Sequence, residues 1–457
     1  MGRLFGTDGV RGVANTELTC ELAMNLGRAA AVVLTEETHH RPQIIIGKDT
    51  RISSDMLEAA MVAGICSVGA DALQLGVVPT PAVAFLVRKL GADAGVMISA
   101  SHNPMEYNGI KIFSGSGYKL SDELEDRIEA IVLGQEALPA PKSGSALGRV
   151  IRPKAAVDDY VAHLRSTVDC RFDGLRVAVD CANGSASLTA PRLLKDLGGE
   201  FEIVSAHPDG LNINADCGST HLEALCKTVR EGGFDLGIAF DGDADRCLAV
   251  DETGAVVDGD KLIAVFAASL KKHEKLRGDA AVVTVMSNFG FFRFAEKFGI
   301  RVLTTRVGDR YVLEEMVNNG YVIGGEQSGH IIFLEHATTG DGELTALQLL
   351  AVMKRSGKKL SELAAVMESY PQVNLSVQTG AADREALLRS ASVTETMERA
   401  KGALADDGRV VVRASGTEPL IRVMVEGKNE PMIQALGREI AGAVEAEMSR
   451  AAETAAG

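Results

Sequence analysis

Two short stretches of this 457-residue chain hold side chains suited to nucleophilic and ionic chemistry, each directly after an apolar run. In "ISASHNPMEYNGIKI" (98–112), two serines, a histidine, an asparagine and a proline interrupt two strand-like segments. Ser101 beside His102 offers a hydroxyl nucleophile or phosphoryl carrier, and Lys111 a cation to balance phosphate charge or move a proton. A turn whose Ser, Asn and Pro bond locally is the alternative for this stretch alone. In "AFDGDADRCLAVDE" (239–252), Asp241, Asp243 and Asp245 stand one small residue apart. Carboxylates so spaced repel unless a cation lies among them. Hard oxygens suit Mg²⁺ over Ca²⁺ where phosphate or water finishes the shell. An EF-hand is excluded, because Arg246 stands where that loop needs glycine, although Glu252 falls at its twelfth position.

Two further loops complete a pattern. "GGEQSGH" (324–330) sets Glu326 and Ser328 between permissive glycines, a pairing suited to vicinal sugar hydroxyls. "RASGTEPLIR" (413–422) offers Ser415, Gly416 and Thr417 as hydroxyl and N–H donors between Arg413 and Arg422, an anion nest. Arg11 in "GTDGVRG", Lys48 and Arg51 in "GKDTR", and Arg246 could supply local cations. Neither G-x-x-x-x-G-K-[ST] nor a strand-borne G-x-G-x-x-G occurs, which removes nucleotide and dinucleotide loops. A serine carrier, a metal cage, a sugar loop and a phosphate nest arise in chain order, one per unit. That composite describes an enzyme closing around a phosphorylated sugar.

The elements that must position these loops read as α/β. Apolar runs at 43–46, 94–98, 175–179, 236–240, 280–286 and 321–324 predict strands. Helical patterns at 54–68, 80–90, 121–133, 188–198 and 341–354 alternate with them. The fold class expected is three related α/β domains with mixed, mostly parallel sheets, plus a smaller C-terminal α+β domain, around a central cleft. "LPAPKSGSALG" (138–148) and "SYPQVN" (369–374) mark breaks, giving domains over 1–152, 153–253, 254–369 and 370–457. The last contains two strands in "GRVVVRASGTEPLIRVMVEG" and a helix from about 430. With 46% hydrophobic and 24% charged residues the chain can bury several cores. A net charge of −15 argues against nucleic acid or an anionic membrane as partner. Seven scattered cysteines without a C-x-x-C pair suggest a reducing compartment. No apolar leader or myristoylation pattern opens the chain, and the run at 262–270 is too short for a bilayer, so a cytoplasmic location is expected.

In order, "LFGTDGVRG", "ISASHNP…NGIKIF", "DGDADR", "GEQSGHIIF", "TTGDGELTALQLL" and "RASGTEPLIRV" resemble the α-D-phosphohexomutase superfamily, and within it its bacterial glucosamine-phosphate branch. The resemblance implies that Ser101 rather than Ser99 carries the phosphoryl group, and that Asp241, Asp243 and Asp245 hold Mg²⁺ with it. It implies interconversion of glucosamine 6-phosphate and glucosamine 1-phosphate through glucosamine 1,6-bisphosphate, feeding UDP-N-acetylglucosamine and cell-wall synthesis. It also allows a homodimer. Gln327 and Asp309 stand where the phosphomannomutase/phosphoglucomutase branch often has Met and His, which favours glucosamine. The same departure leaves the acid/base open among Lys111, His102 and Arg11. Phosphomannomutase/phosphoglucomutase activity is the alternative, followed by a Mg²⁺-dependent sugar-phosphate phosphatase and a non-catalytic phosphosugar-binding protein.

Overall fold

A computed structural model describes residues 4–456 apart from 7, 37, 381 and 416–418, with side chains described up to 450. It divides into two compact units, residues 1–284 with 303–365, and residues 285–302 with 366–457.

The first sheet contains β1 (Val10–Val13), β2 (Gln43–Lys48), β3 (Asp71–Val77), β4 (Ala94–Ile98), β5 (Tyr107–Ser114) and β6 (Val150–Ile151), in the order β1-β5-β4-β2-β3-β6. Ile44, Ile45 and Ile46 in β2 are wholly buried, as befits a central strand covered on both faces. β2 runs parallel to β3 and β4, but β5 returns antiparallel to β4. The break at 138–148 ends in β6, which pairs in parallel with β3. The second sheet has β7 (Arg176–Asp180), β8 (Glu200–Val204), β9 (Leu236–Phe240), β10 (Cys247–Asp251) and β11 (Val256–Val257), ordered β11-β10-β9-β7-β8. The third has β12 (Ala280–Thr284), β13 (Arg301–Thr305), β14 (Ile323–Gly325) and β15 (Ile331–Phe333), ordered β13-β12-β14-β15. The strand expected at 280–286 thus stops at Thr284, and that expected at 321–324 begins at Ile323. The helix expected at 188–198 spans Ala186–Leu194, because Lys195 turns extended ahead of Gly198 and Gly199.

In the second unit, β16 (Gln372–Gln378), β17 (Gly408–Ala414) and β18 (Leu420–Gly427) form an antiparallel sheet ordered β16-β18-β17. Val377, Ile421, Val423 and Val425 share a core with Ile433, Ile440 and Val444 of the helix Glu430–Ala456. This is the smaller α+β part expected.

One rule links the sheets. Each candidate loop joins an antiparallel pair: β4 to β5, β9 to β10, β14 to β15 and β17 to β18. In the first three, the leading strand is also paired in parallel with a neighbour, so the loop opens at the carboxyl edge, where α/β sheets present ligand groups.

The helix Gly342–Ser356 begins with two buried acids that the sequence did not single out. Asp341 Oδ2 accepts from the Tyr160 hydroxyl at 2.9 Å, and Glu343 Oε1 accepts from Thr189 Oγ1 at 2.7 Å. Burial pushes the Asp341 carboxyl up to about 7 and that of Glu343 up to about 8. An unfolded glutamate ionises near 4.5, so between that pH and about 8 the folded state holds the extra proton. Stability on this account is full below 4.5 and falls as pH rises, by at most about 1.4 kcal/mol per unit, levelling above 8. Glu343→Gln keeps the Thr189 bond and removes the titration. Its melting temperature is therefore expected to gain on wild type from pH 5 to about pH 8 and to keep a constant lead beyond it. Parallel curves would contradict the assignment.

Candidate active site

Ser101 leaves the end of β4 in a left-handed conformation, φ 54°, and is 1% exposed. Its hydroxyl donates to Asp241 Oδ2, and His102 Nδ1 lies 3.4 Å from Ser101 Oγ. Its N–H donates to Ser99 Oγ at 2.9 Å, so the two serines divide the work: Ser99 is turned inward to Asp49 at 2.6 Å, and Ser101 faces the carboxylates.

Asp241, Asp243 and Asp245 are buried on the hairpin between β9 and β10, each with an oxygen within 4.8 Å of the others. Main-chain bonds from three other elements shape this loop. Ser185 N donates to Gly242 O at 2.8 Å, Thr80 N to Asp243 O at 2.9 Å, and Gly342 N to Ala244 O at 2.9 Å. Ala244 is itself left-handed, φ 53°. A methyl at Gly342 would lie 2.4 Å from Arg246 O, a main-chain atom with no room to yield. Gly342→Ala is therefore expected to push the loop out of register. It should weaken divalent-cation binding, read by titration calorimetry with Mn²⁺, by about 10-fold or more. Unchanged affinity would clear Gly342 of this role.

Lys111, on β5, is 2% exposed, with Nζ 2.6 Å from Asp243 Oδ2 and 3.1 Å from Asp245 Oδ2. Burial opposes its charge, but the two carboxylates outweigh it and hold the ammonium protonated. The Asp241 carboxyl is pushed well above its ordinary range by burial and by its neighbours Asp245 and Asp243. Asp245 goes the other way: burial is overcome by Lys111, His330 and Arg246, and its carboxylate stays charged. His102 is depressed to about 4 by burial and the positive charge of Arg246 and Arg11, so its imidazole is neutral at physiological pH.

The donor set fits a divalent cation. Asp243 Oδ1 is buried with no hydrogen-bond partner, and Asp241 resists ionisation because it is buried beside the carboxylates of Asp245 and Asp243.

A second network stands next to the first. His330 Nε2 lies 3.3 Å from Asp309 Oδ2, and its Nδ1 lies 3.7 Å from Asp245 Oδ1. Lys119 Nζ is 2.7 Å from Asp309 Oδ2 and 3.7 Å from Asp8 Oδ1, and Arg11 is 3.5 Å from Asp8. Glu326, Gln327 and Ser328 are the half-buried residues of an otherwise buried turn. Glu326 Oε1 accepts from Gly308 N at 3.3 Å, and burial followed by the nearby Asp309 raises its carboxyl. Gln327 Nε2 turns to Asp258 Oδ2 at 3.2 Å, and Asp309 is engaged by Lys119 and His330. The two branch-marking residues thus bond to protein.

Among the expected local cations, Arg246 sits against the triad, its Nε 3.8 Å from Asp245 Oδ1 and its main-chain N–H donating to Asp241 Oδ1 at 3.2 Å. Lys48 does not face the site as a spare charge, because Asp55 and Glu58 take its ammonium at 2.5 and 2.6 Å. Arg51 is likewise consumed, by Asp49 and by loop carbonyls. Sequence reasoning missed Thr80, whose hydroxyl donates to Asp243 Oδ2 at 2.5 Å, and His330, although its letter closes the GEQSGH motif.

Arg413, Ser415 and Arg422 belong to the second unit; Gly416 and Thr417 lie outside the described residues. Arg413 and Arg422 stand opposite each other in the register of β17 and β18. Burial and Arg422 together lower the pKa of Arg413, whose Nε is buried with no hydrogen-bond partner. Ser415 is buried, and its carbonyl accepts from Arg384 Nη1 at 2.6 Å.

Comparison with known proteins bears on this arrangement. Residues 2–138, 158–254 and 258–370 match alpha/beta/alpha domains I, II and III of phosphoglucomutase/phosphomannomutase, and residues 355–443 match its C-terminal domain. The chain belongs to the phosphoglucomutase/phosphomannomutase family and is an isomerase. Among family members, a phosphoglucosamine mutase of Acetivibrio thermocellus is 55% identical over 97% of this chain and 99% of its own. Another, of Desulforamulus reducens, is 56% identical over 95% of this chain and 98% of its own. A crystal structure of a family protein from Burkholderia thailandensis shares the fold, with a TM-score of 0.80 at 21% identity over 97% of each chain. So does the Aspergillus fumigatus N-acetylphosphoglucosamine mutase in complex with GlcNAc-6P and magnesium, with a TM-score of 0.69 at 18% identity over 97% of this chain and 95% of that one. The phosphohexomutase architecture expected from the sequence is therefore the one present. Among the described residues, no helix is long and apolar enough to cross a membrane.

Proposed function

We propose that this phosphohexomutase interconverts glucosamine 6-phosphate and glucosamine 1-phosphate, with Ser101 as the phosphoryl carrier and glucosamine 1,6-bisphosphate as the intermediate. The observation that carries the reading is the Ser101 hydroxyl donating into a buried three-carboxylate cluster. The substrate is supported by the names of relatives 55–56% identical over nearly the whole chain. We also propose domain boundaries near 152, 253 and 369, a cytoplasmic location and a homodimer.

In the first half-reaction the free hydroxyl oxygen of the sugar attacks phospho-Ser101. A new O–P bond forms as the Ser101 Oγ–P bond breaks, and the hydroxyl proton is released as Ser101 Oγ gains one. His102, neutral and 3.4 Å from Ser101 Oγ, can hold the proton exchanged at that atom. Lys111, whose ammonium lies 2.6 Å from Asp243 and 3.1 Å from Asp245, contributes positive charge beside that atom. Asp241, Asp243 and Asp245 would hold Mg²⁺, which when bound neutralises charge on the phosphoryl oxygens. Glu326 and Ser328 bind sugar hydroxyls. Arg413, Ser415 and Arg422, with Gly416 and Thr417, cradle the phosphate that is not reacting. Arg11 and Arg246 steady the anion. The bisphosphate then turns over and returns its other phosphate to Ser101.

The test is a side-by-side assay of glucosamine, glucose and mannose phosphates with a bisphosphate activator. Glucosamine phosphate is expected to give the highest kcat/KM. A preference for glucose or mannose would move the chain to the other branch, and release of inorganic phosphate without isomerisation would make it a phosphatase.

A further inference from the structure

Arg51 is 2% exposed, and each of its three guanidinium nitrogens donates to protein. Nε donates to Asp49 Oδ2 at 2.9 Å, Nη1 to Pro104 O at 2.5 Å, and Nη2 to the carbonyls of Ser101 and Asn103 at 3.0 and 2.8 Å. Asn214 Nδ2 donates to the same two carbonyls, at 2.9 and 3.1 Å. Arg51 follows β2 of the first sheet, and Asn214 lies between β8 and β9 of the second. Asp49 also accepts from Ser99 Oγ at 2.6 Å, and Ser99 Oγ in turn accepts the Ser101 N–H. The peptide groups on both sides of Ser101 are therefore held, N–H by Ser99 and C=O by Arg51 and Asn214.

That bonding has a purpose the turn itself does not supply. A non-glycine residue at φ 54° is strained and persists only where its surroundings over-determine it. In an extended conformation the hydroxyl would leave Asp241. We infer that Arg51 and Asn214 are positioning residues that fix the left-handed backbone of Ser101 from two different domains, so that its oxygen faces the carboxylate cluster only while those domains are packed together. The planar fork of arginine is needed, because three carbonyls and a carboxylate must be reached from one buried point; a lysine ammonium has three donors and no fork. The inference rests on Ser101 being the phosphoryl carrier.

The test uses full-length Arg51→Lys and Asn214→Ala beside wild type, each primed with bisphosphate. Ser101 phosphate is followed by intact mass and peptide mapping, and kcat and KM are measured separately. Arg51→Lys is expected to lose about 10²-fold in kcat with KM within about threefold of wild type, the signature of a misplaced reacting atom. Asn214→Ala, which keeps the arginine clamp, is expected to lose about 10-fold in kcat. Both should incorporate phosphate more slowly. Asn214→Ala leaves no buried charge behind, so it decides the matter if Arg51→Lys does not fold. A folded Asn214→Ala with wild-type kcat and phosphorylation rate would overturn the inference. Wild-type protein that turns over with no phosphate on Ser101 would instead sink the carrier reading, and the clamp with it.

Discussion

Ser101→Ala is expected to abolish isomerisation, by more than about 10³-fold in kcat, while leaving the thermal unfolding transition close to that of wild type. The two halves of that expectation have separate physical grounds. Loss of activity follows from removing the oxygen that would carry phosphate; neighbouring Ser99 cannot replace it, because its hydroxyl is committed to Asp49 at 2.6 Å and is wholly buried. Retention of the fold follows from how Ser101 is held. Its anchoring bonds, to Ser99, Arg51 and Asn214, all use main-chain atoms that alanine keeps. Alanine also tolerates the backbone, since Ala182 and Ala244 occupy the same left-handed region in this protein, at φ 54° and 53°. The lost hydroxyl bond leaves Asp241 with one donor fewer, and burial already favours its protonated form. Intact mass before and after incubation with bisphosphate gives the direct reading: wild type gains one phosphate on the Ser101 peptide and the variant does not. Turnover retained within tenfold of wild type would place the carrier elsewhere.

The groups that chemistry requires at fixed short spacing were legible without coordinates. Asp241, Asp243 and Asp245 repel at their spacing whatever surrounds them, and the strand Leu236–Phe240 ahead of them is apolar along its whole length. The helix Thr80–Leu90 was likewise plain from end to end, closed by Gly91 in the left-handed conformation. What did not show was direction and partnership. A strand buried on both faces reads the same whether its neighbour runs parallel or antiparallel, so the hairpin turning at each site loop has no compositional mark. The roles of Lys48 and Arg51 were hidden for a related reason. A cation in a glycine-flanked turn looks free until its partners are known. For Arg51 those include carbonyls about fifty residues away, and Asn214 reaches the same atoms from more than a hundred. Thr80, His330 and Gly342 act on the carboxylate loop across equally long separations. Long-range support of this kind is a property of topology, not of any local pattern.

Lys111→Met tests the electrostatics of the site most severely, because it removes a buried cation while nearly conserving shape. Lys111 Nζ is the ammonium within 3.1 Å of both Asp243 and Asp245, and its side chain is 3% exposed. Breaking such a buried pair leaves carboxylates uncompensated, at a cost of about 3–5 kcal/mol. The sign of the pH dependence follows from Asp245, which Lys111 holds below the ordinary carboxylate range. That stabilisation is present above the unfolded aspartate value of 3.8 and is lost as pH falls through the depressed folded one. The variant, whose carboxylates can take up protons, should therefore lie close to wild type at acid pH and fall furthest behind at pH 7–8. Activity should drop by about 10²-fold or more if, as proposed, this charge faces the phosphoryl oxygens. A divalent cation supplies the discriminating observation. If the triad holds one, Mg²⁺ restores more stability to Lys111→Met than it adds to wild type, because the variant cluster carries one more uncompensated negative charge. Equal stabilisation of both proteins by Mg²⁺ would mean that the ion binds elsewhere. Wild-type stability for Lys111→Met at pH 8 in chelator would mean that the ammonium is not what holds the cluster together.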